Sequence, residues 1–186
     1  MSSRGSTKRE GFSLYNKGAI AMRYFCYCSS PLGLMTLQAT EFGLCGAWFE
    51  TQETLPKQLG KEDADHPILS ETSAQLADYF SGLRKTFDLP LAATGTAFQR
   101  RVWQTLTTIA YADTWSYSQL AVAIGNPQAA RAVGRANSKN PISIIVPCHR
   151  VVAQDGKLTG YAGGMSRKAH LLQLERNGSK TPSNVL

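Results

Sequence analysis

The sequence predicts an α+β fold, with a small N-terminal antiparallel sheet and one helix followed by a mostly helical C-terminal half that contains a helix-turn-helix. Three observations carry this. Short apolar segments broken by turn sequences come first, one long stretch of helical periodicity follows, and the remainder is a series of helix signals around a single strand-like run. With 186 residues, 42% hydrophobic and 18% charged, the chain is long enough to bury a core. No apolar run has the length needed to cross a bilayer.

The elements follow in order. Residues 1–22 are basic and polar, lack the apolar centre of a secretory signal, and read as a flexible leader or an expression remnant. An N-terminal α/β domain is expected over 23–90. Tyr24–Cys28, Leu34–Ala39 and Leu44–Phe49 are its strands, separated by the turn sequences SSPLG and TEFG. After His66-Pro67 a helix is expected, with Leu69, Ala74 or Ser73, Leu76, Ala77, Phe80 and Leu83 on one face and Gly82 near its end. The loop Leu89–Gly95 marks the boundary. A C-terminal domain follows over 91–180, with a flexible tail at 181–186. In it, AFQRRVWQTLTTI places Phe98, Val102, Trp103, Leu106 and Ile109 on one helical face, and SYSQLAVAIG is a short helix stopped at Gly125. The next helix, PQAARAVGRANSKN, is expected to start with Asn126 as N-cap and Pro127 at its first position. Two short helices around a Gly-Asn-Pro turn fit a helix-turn-helix, and they equally fit a plain αα-hairpin in a helical core.

Charge separates the halves. Residues 23–90 hold five basic and nine acidic side chains; residues 91–186 hold eleven basic and three acidic, within a net +7 for the chain. The second half is therefore the candidate for meeting a polyanion. The four cysteines, Cys26, Cys28, Cys45 and Cys148, are too few and too irregular for a disulfide scaffold, which points to a reducing cytoplasm, or a nucleus in a eukaryote. Cys26, Cys28 and Cys45 with His66 match no common zinc spacing, and no metal or cofactor is expected.

The chemistry concentrates in IIVPCHRVV, residues 144–152, where β-branched residues expected to form a buried strand flank Pro147-Cys148-His149-Arg150. A thiol needs a nearby base or positive field to act as a nucleophile. Adjacent strand residues face opposite ways, so either the backbone turns at Pro147 or a water joins Cys148 to His149. A third group to orient the imidazole has to come from Asp113, Asp155 or Glu175, the only acids of the second half.

The run NPISIIVPCHRVV, then GYAGG at 160–164 and KAHLLQLE at 168–175, resembles the O6-alkylguanine-DNA alkyltransferase (methylated-DNA–protein-cysteine methyltransferase) family. GTAFQRRVW, SYSQLA and GNPQAARAVGRAN also match family blocks in order, so the likeness runs from about Tyr24 to Glu175. It implies a ribonuclease H-like first domain, a winged-helix-like second one, and a repair protein that moves an alkyl group from guanine O6 onto its own cysteine, once per molecule. Residue by residue, it implies that Cys148 is the acceptor, His149 draws off the thiol proton through a water, and Glu175 holds His149. Asn140 would fix the turn before the cysteine, and Tyr117 would donate to guanine N3. Arg131 would fill the stack vacated by a flipped nucleotide, Asn126 would cap the recognition helix near phosphates, and Tyr161 and Gly163 would close over the base with Arg150 among the DNA- and base-binding residues. The partner implied is double-stranded DNA, met through the minor groove by a monomer, with cooperativity left open; no membrane is implied. A stacked O6 alkyl group is out of reach of a protein thiol unless the base is extruded, and degenerate minor-groove readout suits repair in any sequence.

Departures from the family pattern are Ala110-Tyr111-Ala112 in place of Pro-x-Gly, implying a less rigid turn, Ala162 in place of a serine, and Ser138-Lys139 in place of a glycine-rich pair. Two other functions compete. A sequence-specific DNA-binding regulator would use the helix-turn-helix and leave Cys148 structural or redox-sensing. A Cys-His hydrolase would turn over.

Overall fold

The computed structural model describes residues 21–180; the expected leader, apart from its last two residues, and the tail lie outside them. Strands β1 (Tyr24–Ser30), β2 (Gly33–Thr40) and β3 (Gly43–Phe49) form an antiparallel meander, and a short β4 (Lys61–Glu62) pairs in parallel with β1, giving the order β3-β2-β1-β4. The β1–β2 register runs from Tyr24 opposite Ala39 to Ser30 opposite Gly33. Helix α1 (Pro67–Phe80) lies across β1, β2 and β3.

Its buried face differs from the one expected. Leu69 and Leu76 are buried as anticipated, but Thr72, Gln75 and Tyr79 are buried with them, Ala74 and Ala77 are exposed, and Leu83 is 82% exposed. The polar members belong inside because each has a partner: Thr72 donates to Ile68 O, Gln75 exchanges bonds with Asp88, and Tyr79 reaches the second half of the chain.

The second half contains α2 (Ala97–Leu106), β5 (Trp115–Ser116), α3 (Tyr117–Ala123), α4 (Ala130–Ser138), β6 (Val151–Val152) and α5 (Met165–Lys180). Capping boxes start α2 (Thr96 with Gln99) and α3 (Ser116 with Gln119). Val102, Trp103, Leu106 and Ile109 are buried as expected, and the Trp103 indole N–H donates to Ala136 O of α4 at 2.8 Å. The helix expected from Pro127 splits. Pro127–Ala129 form a 3-10 turn and the α-helix begins at Ala130; Asn126 occupies the cap position but its side chain makes no capping bond.

The largest revision concerns residues 144–152, which were expected to form a strand. Only Val151–Val152 are one, paired in parallel with β5, and Cys148–Arg150 form a 3-10 turn. Ile144 has φ +72°, and the bonds Ile145 N–H to Ser143 O (2.9 Å) and Cys148 N–H to Val146 O (2.8 Å) close tight turns. Pro147 has no N–H to give a ladder. The apolar, β-branched composition records burial, since every residue from Ile142 to Val152 is buried.

This buried segment is held by the N-terminal sheet. Edge strand β3 receives the boundary loop and a stretch of the second half: Leu44 exchanges bonds with Pro90 O and the Ala92 N–H, and Ala47 does so with Pro141 O (2.8 Å) and the Ser143 N–H (2.9 Å). One continuous cluster of buried residues runs from Cys26 through Trp103 and Cys148 to Leu171. No helix among the described residues is long and apolar enough to cross a membrane.

Candidate functional site

The turn that carries Cys148 is built on Asn140. Its Nδ2 donates to Ile142 O (3.2 Å), Val146 O (2.9 Å) and the Cys148 Sγ (3.1 Å), and its Oδ1 accepts from the Ile142 N–H (3.0 Å). One buried amide therefore bonds across the loop and touches the thiol. Asn137, to which no role was assigned, donates to Cys148 O at 3.4 Å. Burial pushes the Cys148 thiol up from its ordinary range, while the Asn140 hydrogen bond and the Lys168 charge draw it down; the net direction is up. The resting sulfur is therefore a thiol, and its reaction needs a base.

His149 and Glu175 meet as expected. The 3-10 turn at Cys148–Arg150 points His149 into the core, where Nε2 lies 2.8 Å from Glu175 Oε1 and both side chains are fully buried. A carboxylate only accepts, so the proton sits on Nε2 and the lone pair on Nδ1. Among the described residues Nδ1 meets no hydrogen-bonding group. Burial holds the imidazole below its ordinary value, against the pull of Glu175.

Glu175 collects more donors than its sequence context suggested. Arg150 Nε lies 3.0 Å from Oε2 and Nη2 3.0 Å from Oε1; the Ala112 N–H donates to Oε2 (3.0 Å), and the Tyr79 hydroxyl donates to Oε1 (2.7 Å). Burial works against ionisation here, yet His149 and Arg150 bring the carboxyl down to about 2. Arg150, expected among the DNA- and base-binding residues, turns its donors inward. Its guanidinium is buried, and Nη1 is committed to Ile109 O, so it neutralises Glu175 from inside. With that charge balanced by Arg150, His149 need not be protonated, which leaves it able to act as a base.

Ala112 stands where the family pattern has glycine, at φ +68°. The turn is held all the same. Its N–H binds Glu175, and Tyr111 packs edge-on to Tyr79 with the Arg150 guanidinium over its ring.

The remaining expected residues are divided between this network and the surface. Tyr161 is buried, its ring edge-on to His149 at 6.5 Å between centroids, and Gly163 packs so closely on Tyr161 and Phe49 that a Cβ there would fall 2.6 Å from the Tyr161 ring. Tyr117 opens α3 and donates its hydroxyl to Thr159 O at 3.2 Å. Arg131 and Asn126 are exposed at the start of α4 and at the turn before it, away from the buried network. Lys168 was not assigned a role. It is fully buried on the same face of α5 as Glu175, two turns away, and its ammonium bridges Val151 O and Thr159 O (2.6 Å), joining the cysteine segment to the following loop. Burial lowers it to about 8. The spacing Lys168 to Glu175 was a legible signal; Tyr79, in the other half of the chain, left none. Among the described residues no three His, Cys, Asp or Glu side chains gather as a metal site, and His66 stacks on Tyr24 instead of joining the cysteines.

Comparison with known proteins places these features in a context. Residues 22–93 match the family model for the ribonuclease-like domain of 6-O-methylguanine DNA methyltransferase, and residues 97–177 match that for its DNA-binding domain. A methylated-DNA–protein-cysteine methyltransferase of Mycobacterium bovis is 55% identical over 164 residues, covering 88% of this chain and 98% of that protein. The crystal structure of the Mycobacterium tuberculosis O6-methylguanine methyltransferase superposes with a TM-score of 0.79 at 44% identity, covering 88% of this chain and 97% of that one. A Mycobacterium tuberculosis structure in complex with DNA gives 0.77 at 44% identity, covering 83% and 94%.

Proposed function

Because this chain belongs to the methylated-DNA–protein-cysteine methyltransferase family, matched in both its domains and along nearly the full length of its relatives, we propose that Cys148 is its alkyl acceptor and that Glu175 and His149 activate it. The reaction is DNA repair by transfer of an alkyl group to a protein cysteine, and DNA is the partner. The observation that carries the assignment is the 2.8 Å contact of His149 Nε2 with Glu175, which leaves the Nδ1 lone pair as the base nearest in sequence to a buried thiol.

The steps follow from that geometry. The Cys148 proton passes to His149 Nδ1, through a water, since the two side chains make no bond to each other. The thiolate sulfur attacks the O6-bound alkyl carbon, a C–S bond forms as the C–O bond breaks, and the electron pair stays on the guanine. Tyr117 neutralises that charge by donating to guanine N3, which requires its hydroxyl to leave Thr159 O. Glu175 stabilises the imidazolium that His149 becomes. The product thioether has no adjacent group to hydrolyse it, so each molecule serves once.

DNA lies against the turn and helix that present Asn126 and Arg131, the helix entering the minor groove, with the protein acting as a monomer. The small residues Ala129, Ala130, Ala132 and Gly134 support that approach, and Arg131, exposed beside them, takes the place of the extruded nucleotide. Tyr161 and Gly163 form the cover of the base. The N-terminal domain ends, and the DNA-binding and acceptor domain begins, near residue 90.

The test is transfer of label from duplex DNA carrying O6-[methyl-labelled]guanine to the wild-type chain and to Cys148→Ala. Label moves to the wild type alone. Label on both proteins, or on neither, contradicts the assignment.

A further inference from the structure

Arg167, in the first turn of α5, directly follows the Tyr161–Gly164 loop and ties it to the N-terminal domain. Its Nε donates to Leu32 O in the β1–β2 turn (2.8 Å) and its Nη1 to Thr51 Oγ1 beyond β3 (2.7 Å), while the same Nη1 donates to Gly163 O (3.1 Å). The guanidinium also lies over the Phe49 ring, 4.5 Å from its centroid, with Nη2 3.9 Å from Glu50. We propose that Arg167 is a positioning residue, a latch through which the N-terminal domain holds the Tyr161–Gly164 loop closed and so sets how firmly the pocket grips a base. This rests on the reading of that loop as the base's cover.

Several independent features converge on the latch. Gly33 sits at φ +112°, and a Cβ there would come 3.1 Å from Arg167 Nη2 and 3.2 Å from Glu50 Oε1, so the hairpin turn leaves room for this side chain. Phe49, under the guanidinium, is also the residue that Gly163 abuts: a Cβ at Gly163 would lie 2.9 Å from its ring. From Gly163 the loop leads back to Tyr161 and to the edge contact with His149. The ion pair with Glu50 contributes little, since Glu50 is half exposed and the separation long. What holds the loop is a planar fork that meets acceptors on both sides of the interface at once while stacking on a ring, which a lysine cannot reproduce.

A free base depends on the loop for its grip, whereas a flipped nucleotide is also held by the duplex around it. The latch should therefore matter more for the free base. The experiment compares wild type, Arg167→Ala and Arg167→Lys in two measurements: amide hydrogen exchange, and alkyl-transfer rates from free O6-benzylguanine and from O6-methylguanine in duplex DNA. Losing the fork should raise exchange in residues 160–164 about tenfold in Arg167→Ala, with α1 unchanged. The same variant should react with the free base about tenfold more slowly and with duplex DNA less than about threefold more slowly, and Arg167→Lys should fall between it and wild type. Unchanged loop exchange overturns the latch. Raised exchange with equal losses on both substrates, or none on either, overturns the base-gripping role. Exchange is read without any transfer, so a wild type that alkylates a residue other than Cys148 refutes the acceptor assignment separately.

Discussion

The hydroxyl of Tyr79, on the helix of the N-terminal domain, donates to Oε1 of Glu175 at 2.7 Å, on the same oxygen that His149 Nε2 contacts. The first domain thus reaches the Glu175–His149 pair of the second, which we propose as the proton relay. Burial and the Glu175 charge both push the Tyr79 phenol up, so it stays a donor at any working pH. Tyr79→Phe removes that donor and leaves Glu175 its bonds from Arg150, His149 and Ala112. Alkyl transfer should slow about three- to tenfold and stability fall by about 1 kcal/mol, with DNA affinity unchanged. Single-turnover rates beside a binding titration check this; an equal loss of affinity contradicts it.

Acid should weaken the fold in a way that depends on the relay. His149 is held below its ordinary 6.5 and Glu175 at about 2 against an ordinary 4.5, so the unfolded chain binds each proton first. Stability is fully present above about 6.5 and falls as pH drops, through His149 and then, from about 4.5 to about 2, through Glu175. The Glu175 share is on the order of 3 kcal/mol. Glu175→Gln should be less stable than wild type at pH 7, because Arg150 is left buried without its counter-charge, and should show a flatter stability curve between pH 4.5 and 2. Denaturant unfolding across pH measures both; a mutant slope equal to wild type contradicts the account.

Ala112 holds φ +68° while giving its N–H to Glu175. Ala112→Gly relieves the left-handed strain at the cost of backbone entropy, and should stabilise by about 0.5–1 kcal/mol with transfer unchanged. A thermal melt that shows destabilisation contradicts the strain argument.

Arg131 is exposed at the start of α4 and takes no part in the buried network. Arg131→Ala should slow transfer from duplex DNA at least about tenfold, since extrusion loses its stand-in. Reaction with free O6-benzylguanine should be unaltered. Equal loss on both substrates contradicts the stacking role.

How far the sequence reaches is clearest at Glu175. Its pairing with His149 was legible, because few acids are available in the second half and the family pattern matches there. That Arg150 would turn inward was not, because an arginine beside a cysteine in a basic half reads as a surface charge until Ile109 O and the Glu175 carboxylate are seen to take its donors. The three strands and the helices were legible from turn sequences and periodicity. The run around Cys148 was not, because burial and strand formation select the same β-branched residues, and Pro147 with the left-handed Ile144 decides for turns. Asn126 takes the cap position read for it without a side-chain bond, and the Asn-Pro pair opens a 3-10 turn before the α-helix begins. Contacts between distant segments, Tyr79 to Glu175 or Arg167 to Leu32, leave no local pattern to read.

We propose that Cys148 accepts one alkyl group, once. The most direct test incubates the full chain with excess O6-benzylguanine and follows intact mass, a peptide map and released guanine together. The expected result is a single benzyl adduct on the peptide containing Cys148, guanine release that stops at one equivalent per protein, and no adduct on Cys148→Ser. An adduct on Cys26, Cys28 or Cys45, or guanine release that continues beyond one equivalent, would contradict it.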